Sequence, residues 1–287
     1  MLNYLDSIGE LENTIVVVTA DNGMPFPRAK ANCFEFGAHV PLAISYPKGF
    51  PSGRKVNDPV GFVDLAPTLL ELAGVSPEGM LPISGKSFVN ILTSKKEGTV
   101  DKDRKYVFSG RERHSSSRWK NLGYPQRAIR SADYLLIWNM KPERWPAGAP
   151  QAMDKKTGKP VPLYGLDKNG KHHSDWAFTD VDASPTKSYM VEKHEEAGVR
   201  PYFELAFLKR PEFELYDVVH DPYCLKNLSG AAELAAIESE MKRELLNELK
   251  RTSDPRVVGP DKEVFESYKR YSPIRDFPEP DWLKQNN

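Results

Sequence analysis

Apolar and polar positions change period several times along this chain. Asn13-Thr14 lead into Ile-Val-Val-Val-Thr-Ala, which ends at Asp21-Asn22-Gly23. A β-branched run of that length, stopped by Gly23 and Pro25, predicts a buried central strand of a parallel sheet. Before it, Tyr4, Leu5, Ile8 and Leu11 mark one face of a helix over 1–12. Leu42-Ala-Ile-Ser-Tyr46 predicts a second buried strand. Between Asp64 and Gly74 the spacing predicts a helix, with Asp64 as N-cap, Pro67 in the first turn, Leu65, Leu69 and Leu72 on one face, and Gly74 as the stop.

Farther on, the pattern predicts a short strand at Tyr106–Gly110 and a strand pair over 123–139. From about Ala231 to Lys250, Leu234, Ile237, Met241, Leu245 and Leu249 recur at helical spacing, so this helix packs on a small antiparallel sheet. Charge-dense Ser94–Arg104 marks a boundary, and 151–200 is punctuated by Gly and Pro like surface loops. Pro255, Pro260, Pro273, Pro278 and Pro280 make the end an extended tail. The organisation expected is α/β, with one unit over 1–98, a smaller α+β unit over 104–252, and a tail over 253–287.

Composition narrows the functional classes. In 287 residues, 40 basic and 40 acidic side chains cancel, so bulk charge gives no reason to expect nucleic-acid binding. No apolar stretch is long enough for a membrane span, and the N-terminus lacks the basic and apolar regions of a leader. Two distant cysteines, Cys33 and Cys224, make no disulfide framework and read as free thiols. No spacing suggests zinc, and His172-His173 reads as a solvated loop pair.

The candidate chemistry gathers at the end of the first strand. Asp21 and Asn22 offer hard oxygen ligands where α/β sheets hold their ligands, beyond the carboxyl ends of strands. The same Asp-Asn-Gly is also good turn chemistry. The loop after it carries two cations, Arg28 and Lys30, able to neutralise an oxyanion. A second cluster is Arg111-Glu112-Arg113-His114, followed by Tyr124-Pro-Gln-Arg127-Ala-Ile-Arg130. Arg can hold a carboxylate or sulfate by two hydrogen bonds, and His can carry a proton near neutral pH.

The order strand, Asp-Asn-Gly, loop Lys30, then Gly37-Ala-His39-Val-Pro41 resembles the second half of a type I, formylglycine-dependent sulfatase of the alkaline phosphatase superfamily. Val63-Asp-Leu-Ala-Pro-Thr-Leu-Leu-Glu-Leu-Ala-Gly74, Leu81–Leu92 and Glu214-Leu-Tyr-Asp217 through Asp221-Pro222 and Asn227-Leu228 are similar to further segments of that family. The resemblance implies Asp21 and Asn22 as calcium ligands and Lys30 as the sulfate contact. His39 stands where most sulfatases have Arg, and the resemblance implies no role for it. Arg111–His114, Tyr124–Arg130 and Arg144-Trp-Pro-Ala-Gly148 resemble the bacterial heparan N-sulfatase-like branch, which implies His114 at the substrate pocket as a catalytic candidate. Glu112 and Arg113 are then specificity contacts, with Arg28 beside them as substrate-binding.

The activity implied by the resemblance is hydrolysis of sulfate from a glycan, foremost the N-sulfate of glucosamine in heparan- or heparin-type saccharides. An O-sulfatase, a related phosphoesterase and a non-catalytic glycan-binding fragment are the alternatives. The first domain is then the C-terminal portion of an alkaline-phosphatase-like α/β sheet domain. Neither Cys33-Phe-Glu-Phe-Gly37 nor Cys224-Leu-Lys-Asn-Leu228 fits the Cys/Ser-x-Pro-x-Arg motif that yields formylglycine. The expectation is that the nucleophile and the first acidic metal ligands belong to a preceding part, and that the isolated chain is inactive. A sulfated glycosaminoglycan oligosaccharide is the partner implied, and a periplasmic or extracellular location accompanies the resemblance.

Overall fold

The computed structural model describes residues 1–284. Its strands are β1 (Val16–Thr19), β2 (Leu42–Ser45), β3 (Val107–Arg111), β4 (Gln126–Arg130), β5 (Tyr134–Asn139) and β6 (Phe213–Asp217). Its main helices are α1 (Leu2–Ser7), α2 (Glu35–Ala38), α3 (Leu65–Ala73), α4 (Val89–Thr93), α5 (Pro185–Glu192), α6 (Arg200–Phe207), α7 (Ala235–Arg251) and α8 (Pro255–Val258). The chain forms two compact units. The first comprises Met1–Asp21, Val40–Phe108 and Arg130–Asp133, and the second Asn22–His39, Ser109–Ile129 and the chain from Tyr134 onward. The final three residues of the tail expected over 253–287 lie outside the described residues.

In the first unit, β1 and β2 pair antiparallel, with Val16 opposite Ser45 and Thr19 opposite Leu42. This corrects the expectation of a buried parallel strand, because Val18 is 58% exposed and β1 has β2 as its sheet neighbour. A β-branched run reports strand propensity, whereas cover and partner direction depend on residues distant in sequence. Helix α1 also ends sooner than its apolar spacing predicts, at Ser7, with Gly9 at a φ of 73° and Tyr4 67% exposed.

Asp64 sits ahead of α3 but does not cap it. Its carboxylate accepts from the Gly61 N–H at 3.0 Å, the Lys86 N–H at 2.7 Å and Arg104 Nη1 at 3.0 Å. The stop is as expected, Gly74 being left-handed at a φ of 64°. Thr68 is the buried residue of α3, whereas Leu69 is exposed. The charged stretch 94–104 is fastened within this unit, since Asp58 accepts from the N–H groups of Val100 and Asp101 at 2.9 and 2.7 Å.

The second unit holds β5, β6 and most of β3 and β4, which form a sheet of order β3-β4-β5-β6. β5 and β6 are antiparallel, with Tyr134 opposite Asp217 and Trp138 opposite Phe213. Leu136, Ile137, Leu215 and Tyr216 are fully buried, and Cys33, Phe34, Ala128, Leu135, Val218 and Cys224 join Ile137 and Tyr216 in one core cluster. Helix α7 lies against β5 and buries Met241, Leu245 and Leu249, as its spacing predicts. Burying three such side chains contributes several kcal/mol, at about 1.5–3 kcal/mol each. A second core joins Ala147, Phe178 and Val181 from the loops to Val191 of α5 and Phe203 and Phe207 of α6. The antiparallel α+β architecture expected of this region holds.

Both cysteines are free and buried. Burial raises both thiols, that of Cys224 to about 11. His172 departs from its reading as a solvated residue. It is 5% exposed, with Nδ1 3.1 Å from Ser188 Oγ. Burial, with the charge of Lys187, lowers its pKa to about 4. Its neighbour His173 stacks on Trp176 with centroids 4.2 Å apart. Two histidines adjacent in sequence thus occupy different environments, because the loop turns between them.

Candidate functional site

The loop after Asn22 is shaped by close backbone approach. Gly23 N–H donates to Gly37 O at 3.1 Å, and a Cβ at Gly23 would stand 1.7 Å from the Phe36 carbonyl oxygen. Gly37 is as tight, its Cβ position lying 2.3 Å from Ala29 O and Asn32 O. Glycine is therefore required at both positions for space. Lys30 N–H donates to Met24 O at 3.0 Å, and left-handed Arg28 and Ala31 flank the turn that turns Lys30 out. The Lys30 ammonium lies 3.0 Å from Asp182 Oδ2, and both side chains keep about a third of their surface open, 33% and 36%.

Arg28 turns the other way. Its guanidinium donates to Leu205 O at 3.0 Å and to Cys224 O, and lies 3.9 Å over the Phe34 ring. Burial lowers its pKa, as does the charge of Arg210, whose own guanidinium lies 4.7 Å from the same ring. Arg28 thus ties the loop to the sheet-side core.

Asp180 is the buried centre of the second cluster. It is 3% exposed and accepts from Arg111 Nη2 at 2.9 Å and Arg118 Nη2 at 2.5 Å. Burial alone would raise its pKa, but the two guanidinium groups hold it well below the usual carboxylate range. Oδ1 also accepts from the Ser115 N–H at 3.1 Å. The Asp180 carbonyl lies 3.1 Å from His114 Nδ1. A carbonyl only accepts, so Nδ1 carries a proton and donates it in this contact. A further anchor is Lys187, fully buried, whose ammonium donates to Val181 O at 3.0 Å and to Ser174 O and Oγ at 3.1 and 2.9 Å.

Glu112 and Arg113 belong to an ion-pair lattice. Glu112 Oε1 is 2.6 Å from Arg127 Nη2, and Oε2 is 2.7 Å from Arg256 Nη2. Arg113 donates to Phe265 O at 3.0 Å and lies 3.5 Å from Glu266. Glu266 in turn accepts from Arg144 at 2.5 Å and from Arg256 and the Gly123 N–H at 3.0 Å.

Of the residues singled out from sequence, Lys30 and His114 are brought to one short segment, the three residues Asp180–Asp182. Arg28, Glu112 and Arg113 each hydrogen-bond to protein groups, although Arg113 Nε is buried without a partner among the described residues. Asp21 falls in the first unit and Asn22 in the second. Asp21 and Asn22 match calcium in donor chemistry, yet two oxygens fall short of the 6–8 that calcium takes. Among the described residues no three His, Cys, Asp or Glu side chains gather to hold a metal ion. No helix of the described residues is long and apolar enough to cross a membrane. Asp180 and Asp182 escape a sequence reading because an aspartate in a loop gives no local signal of its partners.

The sulfatase family model matches residues 1–75. An ulvan-active sulfatase of Formosa agariphila is 27% identical over 250 residues, covering 85% of this chain and 34% of that protein. Human N-sulphoglucosamine sulphohydrolase is 23% identical over 264 residues, covering 91% of this chain and 46% of its own length. Among solved structures, one in complex with its substrate D-glucosamine-2-N,6-O-disulfate superposes with a TM-score of 0.58 at 24% identity, over 91% of this chain and 39% of that one. The family match is confined to residues 1–75, and similarity to proteins named sulfatases runs over most of the chain. The fold is the alkaline-phosphatase-like α/β fold of these sulfatases. The chain spans about a third to just under half the length of these relatives.

Proposed function

We propose that this chain supplies the Lys30 side of a sulfatase active site that releases sulfate from a glycan, foremost the N-sulfate of glucosamine in a heparin-type saccharide. The observation that carries the reading is the placement of Lys30 and His114. Lys30 is a part-exposed cation paired with Asp182, and His114 is hydrogen-bonded to the segment that presents that aspartate. The ammonium of Lys30 neutralises a sulfuryl oxygen, an interaction that strengthens as charge builds there. The His114 ring, oriented through Nδ1–H, takes up a proton at Nε2 and passes it, as the imidazolium, to the leaving amine.

In this reading Asp21 and Asn22 are two of the ligands of a calcium ion whose chemistry is to polarise the sulfuryl group. They do not make a site alone. Nor does either cysteine fit a formylglycine precursor, since both lie in the core outside the required motif. A periplasmic or extracellular location accompanies the proposal.

The test is titration of the purified chain with glucosamine N-sulfate and glucosamine 6-sulfate, monitored by NMR, beside a sulfate-release assay. The expected result is preferential binding of the N-sulfate, lost in Lys30→Ala, with no release of sulfate. Binding that survives Lys30→Ala unchanged removes the lysine from the sulfate site, and turnover by the chain overturns its assignment as one side of a site.

A further inference from the structure

Lys30 meets a carboxylate where a sulfate contact would be expected to stand open. Asp182 Oδ2 lies 3.0 Å from the ammonium, and the pair reaches solvent. Exposed pairs of this kind usually contribute little, about 0–1 kcal/mol, because both side chains are mobile. Here the aspartate is held from both sides. Two residues earlier, Asp180 is clamped by Arg111 and Arg118. The intervening Val181 is buried, with its carbonyl on Lys187. Two residues later, Ser184 caps α5 by accepting from the Lys187 N–H at 3.1 Å. Asp182 therefore cannot swing away as freely as a surface carboxylate on a loose loop.

A sulfate reaching Lys30 must approach this fixed negative charge. The geometry points to Asp182 as a specificity-determining residue, selecting a sulfate flanked on its sugar by a hydrogen-bond donor and rejecting a bare or densely sulfated anion. The inference rests on the reading of Lys30 as a sulfate contact. A free hydroxyl beside the sulfate donates to Asp182 while the sulfate takes Lys30, so both charges are satisfied. An anion without such a donor leaves the carboxylate facing like charge, which is where discrimination by repulsion arises.

The test compares inorganic sulfate with glucosamine N-sulfate on the full chain, using the wild type, Asp182→Asn, Asp182→Ser and Lys30→Gln, with folding checked by circular dichroism. In Asp182→Asn, inorganic sulfate is expected to bind about fivefold tighter, as removal of one charge at this distance near the surface predicts. Glucosamine N-sulfate gains less, so its preference over sulfate falls by a similar factor, and Asp182→Ser repeats the fall. An unchanged preference in both Asp182 variants, with binding still lost in Lys30→Gln, overturns the role of Asp182 and leaves that of Lys30 standing. Binding that persists in Lys30→Gln, or wild-type chain that binds neither probe, overturns both.

Discussion

Arg256 Nη2 lies 2.7 Å from Glu112 Oε2, although 144 residues separate the two. The contact joins α8 to the end of β3, beside the segment that carries His114. Arg256 also reaches Glu263 and Glu266, each at 3.0 Å, and its side chain is 2% exposed. The carboxylates around it hold its guanidinium above the ordinary arginine range despite burial.

Replacing Arg256 with Ala leaves partly buried carboxylates facing each other. Loss of one partner from a buried ion pair costs about 3–5 kcal/mol, and partial exposure of the glutamates places this case near 3 kcal/mol. Urea denaturation at pH 7 checks the value. A midpoint within error of the wild type would show that the lattice is not holding the tail.

Asp180→Asn removes the charge between Arg111 and Arg118, both of which remain buried. The expected loss is about 3–5 kcal/mol of stability. The Ser115 amide, which donates to Asp180, should also exchange its hydrogen faster relative to the Met241 amide of α7. Equal acceleration at both amides would mean that the clamp supports the whole unit and not the His114 segment.

Acid should weaken the fold in two stages. His172 has a folded-state pKa lowered to about 4 from 6.5, so the unfolded chain binds the extra proton and stability falls as pH drops through that interval. Burial alone would raise Glu266, but hydrogen bonds from Arg144 and the Gly123 amide bring it down from 4.5 to about 2. Its contribution is complete above 4.5 and is lost as pH falls toward 2. Urea midpoints measured from pH 7 to 2 check both stages, and Glu266→Gln should flatten only the lower one.

Gly23→Ala should destabilise the loop although the position is not left-handed. The added carbon meets the Phe36 carbonyl, and relief requires backbone movement, at about 3 kcal/mol for overpacking of this severity. Thermal unfolding gives the cost, and weakened binding of glucosamine N-sulfate would show that the displacement reaches Lys30.

These contacts mark what can be read from sequence. Met241, Leu245 and Leu249 are legible because a helix writes its buried face at fixed local spacing. The strand at Val16–Thr19 is legible for a similar reason, since β-branched runs are local. The antiparallel partner of β1 is not, because Thr19 meets Leu42 only through the intervening chain. Nor is Asp182, whose partner lies 152 residues away. Nor are the partners of Arg28, whose guanidinium donates to the carbonyl oxygens of Leu205 and Cys224, 177 and 196 residues away. Side-chain type identifies possible chemistry, and tertiary packing decides which groups remain available for it.

The ribbon of β1 and β2 has a practical consequence. Two short strands with open edges, and with Val17 and Val18 of β1 facing solvent, offer a template on which other chains can add by strand pairing. Concentrated preparations of this polypeptide should begin to aggregate there, and a lysine at Val18 is the substitution that should keep them clear.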